Sequence, residues 1–149
     1  MRLIADNRKA RFDFSVEDVL EAGLVLQGSE VKSVRLGRVN LRDAHVMVEQ
    51  DEAFVYGMHI APYEQSGQFN HEPYRKRKLL LHRRQIDALS GRVRERGMTL
   101  VPLRLYVTDR GHIKIEVGLC RGKKLFDKRS AIAERDARRD VERALRSRS

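Results

Sequence analysis

The sequence has no tryptophan, one cysteine and only three prolines among its 149 residues. No apolar run approaches the ~20 residues that a membrane-spanning helix needs, and no signal-peptide pattern opens the chain. The lone Cys120 excludes an intramolecular disulfide and a cysteine-rich zinc site. The five histidines, His45, His59, His71, His82 and His112, follow no metal-ligand spacing. Acidic residues are also in short supply. There are 21 Asp and Glu against 31 Lys and Arg, a net charge of +10. Such an excess favours a polyanionic partner, nucleic acid first and an anionic membrane surface second. Without tryptophan or an apolar span, the membrane is the weaker reading. These absences predict a protein of the reducing cytoplasm with no metal and no cofactor.

Catalytic signatures are missing as well. There is no glycine-rich phosphate loop, no nucleophile elbow and no HExxH helix. Asp13, Asp18, Asp43 and Asp51 are too scattered to build a two-metal nuclease centre. His59 and His71 border a loop, where a lone histidine reads as a hydrogen-bonded structural residue rather than a catalyst. The chain therefore reads as a binding protein and not an enzyme.

The length suits a single domain large enough to bury a core. Residues 1–11 are polar and basic, a pattern typical of a frayed terminus. Residues 12–27 carry conflicting signals. Phe12, Phe14 and Val16 alternate as in a strand, while Ser15-x-x-Asp18 resembles a capping box and Val16, Val19 and Leu20 fit a helical stripe. A short helix follows, with Ser29 as cap, Glu30 in its first turn and Gly37 as its left-handed stop. Residues 44–60 read as a hairpin. Ala44, Val46 and Val48 alternate on one arm, Phe54, Tyr56, Met58 and Ile60 on the other, and Gln50-Asp51 turns between them. Pro62 to Pro73 is a long polar loop.

Six cations then crowd residues 75–84 around the triplet Leu79-Leu80-Leu81, which must be anchored in the core. That places a basic patch on a rigid element, with a solvated rim as the plainer alternative. A helix carries Ile86, Leu89 and Val93 on one face and ends at Gly97. The strongest strand signal lies at 99–120. Val101, Leu103, Leu105 and Val107 alternate, Asp109-Arg110-Gly111 turns, and Ile113, Ile115, Val117 and Leu119 alternate back. Lys114 and Glu116 fall on the opposite face. Pro102 marks an edge or a bulge, and Gly118 a close approach.

At Gly122-Lys123-Lys124-Leu125-Phe126-Asp127-Lys128-Arg129 the chain changes character. Two lysines, a ring and an Asp-Lys-Arg triplet suit contact with nucleic acid, or else form a solvated hinge. Beyond it, Ala133, Ala137, Val141 and Leu145 make a thin apolar stripe, with Arg135, Arg139 and Arg143 as a basic ridge. That stripe is too small to hold a helix on a core. The tail is expected to be disordered alone and helical on a surface.

Seven motifs occur in a telling order: Asn7 to Arg11 (Asn-Arg-Lys-Ala-Arg), Glu21-Ala-Gly23, Gly28 to Ser33 (Gly-Ser-Glu-Val-Lys-Ser), Leu36 to Leu41 (Leu-Gly-Arg-Val-Asn-Leu), His59 to Glu64 (His-Ile-Ala-Pro-Tyr-Glu), Arg77 to His82 (Arg-Lys-Leu-Leu-Leu-His) and the octet ending at Arg129. Together they resemble the small protein B family of bacterial SsrA-binding proteins, partners of transfer-messenger RNA. The resemblance implies a mainly β fold. It is an OB-like closed antiparallel barrel over residues 12–121, with about three short peripheral helices, a basic segment at 1–11 and a basic hinge and tail at 122–149. It also implies that residues 12–27 are strand.

The function implied is delivery of the charged RNA, with elongation factor Tu, to stalled ribosomes for trans-translation. The implied transfer-messenger RNA contacts are Asn7, Arg8, Lys9, Glu21, Leu80, His82 and Lys114, with Arg83 added as a cation beside the leucine triplet. Lys123, Lys124, Phe126, Asp127, Lys128 and Arg129 would sit in the decoding centre, against the small ribosomal subunit and its RNA. Arg135, Arg138, Arg139 and Arg143 would line the mRNA channel. Many family members have His where this chain has Phe126, and stacking on a base survives that difference. The protein is expected to be a monomer, away from membranes. The alternative is a general RNA-binding OB module or a basic ribosomal protein.

Overall fold

The alternation at 99–120 does build the frame of the fold. A computed structural model describes residues 1–123 together with residues 135 and 139. The expectations for Lys124, Phe126, Asp127, Lys128, Arg129, Arg138 and Arg143, and for the tail as a helix, lie outside the described residues. In chain order the elements are β1 (Arg2–Asp6), α1 (Arg8–Asp13), β2 (Phe14–Leu24), α2 (Gly28–Arg35), β3 (Val39–Asn40), β4 (His45–Glu49), β5 (Glu52–Tyr56), β6 (His59–Ile60), β7 (Arg77–Leu80), α3 (Arg83–Arg96), β8 (Thr99–Val107) and β9 (Ile113–Gly122). The described residues are thus mainly β with a few helices.

Seven strands pair antiparallel in the order β1-β8-β4-β5-β7-β2-β9, and β8 also pairs with β9. β3 and β6 form a small sheet of their own. The ladder between β2 and β9 runs from Phe14 opposite Gly122 to Gly23 opposite Lys114. That pairing overrides the capping-box signal at Ser15, because a ladder of this length outweighs one local helix start.

Alternation puts one side of each strand inside. Val46, Ala53, Val55, Leu79, Leu100, Leu105, Ile115, Val117 and Leu119 form the main core. A second cluster of Ala10, Val101, Leu103 and Cys120 lies under α1 with Phe14 against it. β8 and β9 are therefore buried on both faces where α1 crosses them. The register shifts between Pro102 and Arg104, so Pro102 marks a bulge in a strand with partners on both sides. At Gly118 a Cβ would stand 2.8 Å from Leu103 Cδ1, which is the close approach that glycine permits.

Four sequence expectations change. The polar start is not frayed: β1 pairs with β8 from Arg2 opposite Val107 to Asp6 opposite Arg104, and Ile4 and Ala5 pack on the core. The second arm of the hairpin stops at Tyr56. Gly57, at φ 73°, reverses the facing, so Ala53 and Val55 point inward before it and Met58 and Ile60 after it. The cap of α2 is Gln27 and not Ser29. Its backbone N–H donates to Glu30 Oε1 at 2.8 Å, while the buried Ser29 Oγ pairs with His71 Nδ1 at 2.8 Å. The leucine triplet, finally, is not a uniform anchor, since only Leu79 is fully inside. The stops at Gly37 and Gly97, both at positive φ, stand as expected.

Candidate nucleic-acid interface

Three strands meet where Gly23 faces Lys114 on one side and Leu80 on the other. Leu80 follows the buried Leu79, so strand alternation turns it outward, and 54% of it is exposed. Gly23 leaves room beside it: a Cβ there would lie 3.2 Å from Leu80 Cβ. The result is a surface cleft of about 400 Å³ whose lining includes Glu21, Leu80, His82, Gln85 and Lys114. A second hollow of about 310 Å³ shares Gly23, Leu80 and Lys114 with it and adds Arg35 and His112. Leu80 and Lys114 form the ridge between the two.

The chemistry here is mixed, as a contact to RNA loops requires. Among the described residues Lys114 makes no ion pair, so its ammonium is available to a phosphate. Glu21 Oε2 accepts the hydroxyl hydrogen of Tyr106. Burial, and then this carboxylate, push the Tyr106 phenol up to about 12. Glu21 is thereby held as a fixed acceptor at the rim. His82 opens α3, where its backbone N–H donates to Gln85 Oε1 at 3.0 Å. The leucine side chain offers an apolar face to a base.

The fold gathers Glu21, Leu80, His82 and Lys114 in one place, but not the other expected contacts. Arg83 lies outside the cleft. Its guanidinium pairs with Asp87 at 3.0 Å and Asp51 at 3.2 Å, and those two acids, Asp87 foremost, raise its pKa. Asn7 is buried. Its Nδ2 donates to the carbonyls of Leu41 at 3.2 Å and Pro102 at 2.9 Å, and its Oδ1 accepts from the Ala10 N–H at 3.2 Å. With its polar atoms bonded inside the fold, Asn7 positions α1. Arg8 and Lys9 are exposed on α1, at the opposite end of the β2–β9 ladder. Nine residue steps separate Gly23 from Phe14, about 30 Å at strand rise.

The octet starts at that far end. Lys123 N–H donates to the Asp13 carbonyl, the last residue of α1, at 2.9 Å. Arg135 and Arg139 are exposed, and the Arg135 guanidinium lies 6.0 Å from the centroid of the Phe12 ring.

The cation run at 75–84 divides in a way its sequence does not signal. Arg77 is fully buried and donates to Glu30, to the Met58 carbonyl at 2.6 Å and to the Pro73 carbonyl at 3.0 Å. Arg75 reaches the other oxygen of Glu30 at 2.5 Å. Lys76 lies over the Phe54 ring at 4.2 Å and pairs with Glu49 at 3.1 Å. Only the alternation of the strand, read from Leu79 backwards, hints that Arg77 faces in.

A family model described as SmpB protein matches residues 4–147. The SsrA-binding protein of Chloroflexus aggregans is 60% identical over 147 residues, covering 98% of this chain and 92% of that protein. That of Roseiflexus sp. (strain RS-1) is 60% identical over 149 residues, covering 99% and 94%. That of Symbiobacterium thermophilum is 56% identical, covering 97% and 92%. A solved chain described under "tmRNA-SmpB: a journey to the center of the bacterial ribosome" is similar with a TM-score of 0.68 at 44% identity, covering 81% of this chain and 85% of that one. With a family model matching residues 4–147 and relatives 60% identical over nearly their full length, the chain belongs to the SmpB family.

Proposed function

We propose that this protein binds the tRNA-like domain of transfer-messenger RNA and delivers it to stalled ribosomes for trans-translation. One observation carries the reading: the Glu21–Leu80–His82–Lys114 cleft and the origin of the basic tail stand at opposite ends of the β2–β9 ladder. A protein so built bridges two RNAs. The cleft takes the tRNA-like domain through phosphate, 2′-hydroxyl and stacking contacts. Lys123, Lys124, Phe126, Asp127, Lys128 and Arg129 enter the decoding centre of the small subunit, and Arg135, Arg138, Arg139 and Arg143 follow into the mRNA channel. The circuit of pairings from β8 through β4, β5, β7, β2 and β9 back to β8 supports reading the sheet as a closed OB-like barrel. The working unit is a monomer in the cytoplasm, with elongation factor Tu as the third member of the delivery complex, and its role is binding rather than catalysis. Among the described residues no helix is long and apolar enough to cross a membrane.

The test is to isolate the protein from cells and sequence the RNA that accompanies it. One dominant RNA with a tRNA-like end is the expected result. A broad mixture of RNAs would point instead to a general RNA-binding module.

A further inference from the structure

We propose that the cleft between α1 and the turn joining β3 to β4 is a phosphate-binding site, formed by Arg8 and Arg42, that docks a backbone phosphate of small-subunit ribosomal RNA. The inference rests on the two-surface reading above and adds a second contact beside the tail. The cleft measures about 250 Å³ and is lined by Asp6, Asn7, Arg8, Lys9, Asn40 and Arg42.

Its charges do not balance. Asp6 accepts from Arg11 Nη1 at 2.6 Å, and Asp43, beside the cleft, accepts from Lys9 Nζ at 2.5 Å. The Lys9 hydrogen bond holds the Asp43 carboxyl below the usual range, so that pair is settled. Arg8 and Arg42 make no ion pair among the described residues. Arg42 acts on Asp43 only through space, so both guanidiniums keep their donors for an anion, and a phosphate accepts the forked, bidentate contact that guanidinium offers.

The site is built in advance. The buried Asn7 precedes Arg8 and donates from Nδ2 to the Leu41 carbonyl at 3.2 Å, next to Arg42. The Arg42 N–H donates to Asn40 Oδ1 at 2.8 Å, and Leu41 is buried. One amide side chain thus ties together the two backbone segments that carry the arginines. The choice of RNA follows from place. α1 ends at Asp13, whose carbonyl holds Lys123 at 2.9 Å, while the Lys114 cleft is about 30 Å away along the ladder. The phosphate nearest the tail belongs to whatever the tail enters.

The full-length Arg8→Gln/Arg42→Gln protein tests this against isolated small subunits and against transfer-messenger RNA, each over a salt series. Both positions are exposed, so an unchanged melting curve is expected. Subunit binding should weaken about tenfold, and its log-affinity versus log-salt slope should fall by about 0.7–0.9, the value for one lost phosphate contact. Affinity for transfer-messenger RNA should stay within twofold. Arg8→Lys/Arg42→Lys should recover the slope but only part of the affinity, because a point charge replaces a fork. An equal loss on transfer-messenger RNA would assign the cleft to that RNA, and no loss on either would leave the arginines as solvated surface; each outcome overturns the proposal. If the unmodified protein shows no salt-dependent affinity for the subunit, the two-surface reading fails, and the inference with it.

Discussion

Glu30 and Arg77, 47 positions apart in sequence, form an ion pair with no solvent exposure on either side chain. The pair fastens α2 to β7. Burial works to raise the Glu30 pKa, but Arg75, the Gln27 N–H and Arg77 outweigh it and hold the carboxyl below the ordinary glutamate range. The folded pKa is therefore depressed relative to the unfolded chain. The stability this gives is fully present above the unfolded value of about 4.3, and it is lost as pH falls through the folded pKa. Urea melts should show constant stability from neutral pH down to the mid-fives, then a decline that is shallower in Glu30→Gln, with the remainder coming from other depressed carboxylates such as Asp43. Removing one partner strands the other: Arg77→Met should cost about 3–5 kcal/mol. A loss below 1 kcal/mol would show that the pair is dispensable.

Lys114 and Arg83 should part company in an RNA-binding salt titration. Lys114→Ala removes an available ammonium from the cleft, and the log–log slope for transfer-messenger RNA should fall by about 0.7–0.9. Arg83→Ala removes a cation already committed to Asp51 and Asp87 and should leave the slope unchanged. Leu80→Ala should weaken binding at every salt concentration alike, because it carries no charge. Equal slopes for the lysine and arginine variants would undo the assignment of the cleft.

The β4–β5 turn holds Gln50 at φ 48° and Asp51 at φ 66°. Both are left-handed, as a two-residue hairpin of the primed type demands. Asparagine tolerates that region better than glutamine. Gln50→Asn should raise stability by about 0.5–1 kcal/mol, and Gln50→Val should lower it by about 1–2 kcal/mol. Both keep the Asp51–Arg83 pair. Thermal melts that reverse this order would mean that the turn is not strained.

Much of this fold can be read directly from the chain where local rules act alone. Alternation from Ile115 to Leu119, the glycine stops at Gly37 and Gly97, and the Gln50-Asp51 turn are local, and each stands where it was expected. In β8 the bulge after Pro102 breaks the expected alternation, sending Val101 and Leu103 to the second cluster and Leu105 to the main core. What could not be read depends on distant partners. Nothing near Arg77 shows that a carboxylate 47 residues earlier will meet it, so a buried residue looked like part of a surface run. Gly57 reverses the facing of a strand through one backbone angle, which periodicity alone does not reveal. Of the expected RNA contacts, Glu21, Leu80, His82 and Lys114 share a cleft. Asn7 is bonded within the fold, and Arg83 pairs on the surface with Asp51 and Asp87.

Truncation after Phe126 should leave the melting curve and the affinity for transfer-messenger RNA nearly unchanged while abolishing peptide tagging. β9 ends at Gly122, and among the described residues neither core cluster uses one beyond Cys120. Loss of RNA affinity in the truncated protein would show that the tail and the cleft are not separable.

The β2–β9 ladder also acts as a gauge. Under the proposed function its two ends carry different surfaces, and the distance between the bound RNA and the ribosome would then be set by a count of paired residues. Strand side chains alternate with a period of two. Inserting two residues into each strand would lengthen the spacer by about 7 Å and keep every side chain on its own face. Inserting one would turn the far end inside out. The length of this protein's central ladder is therefore adjustable only in even steps.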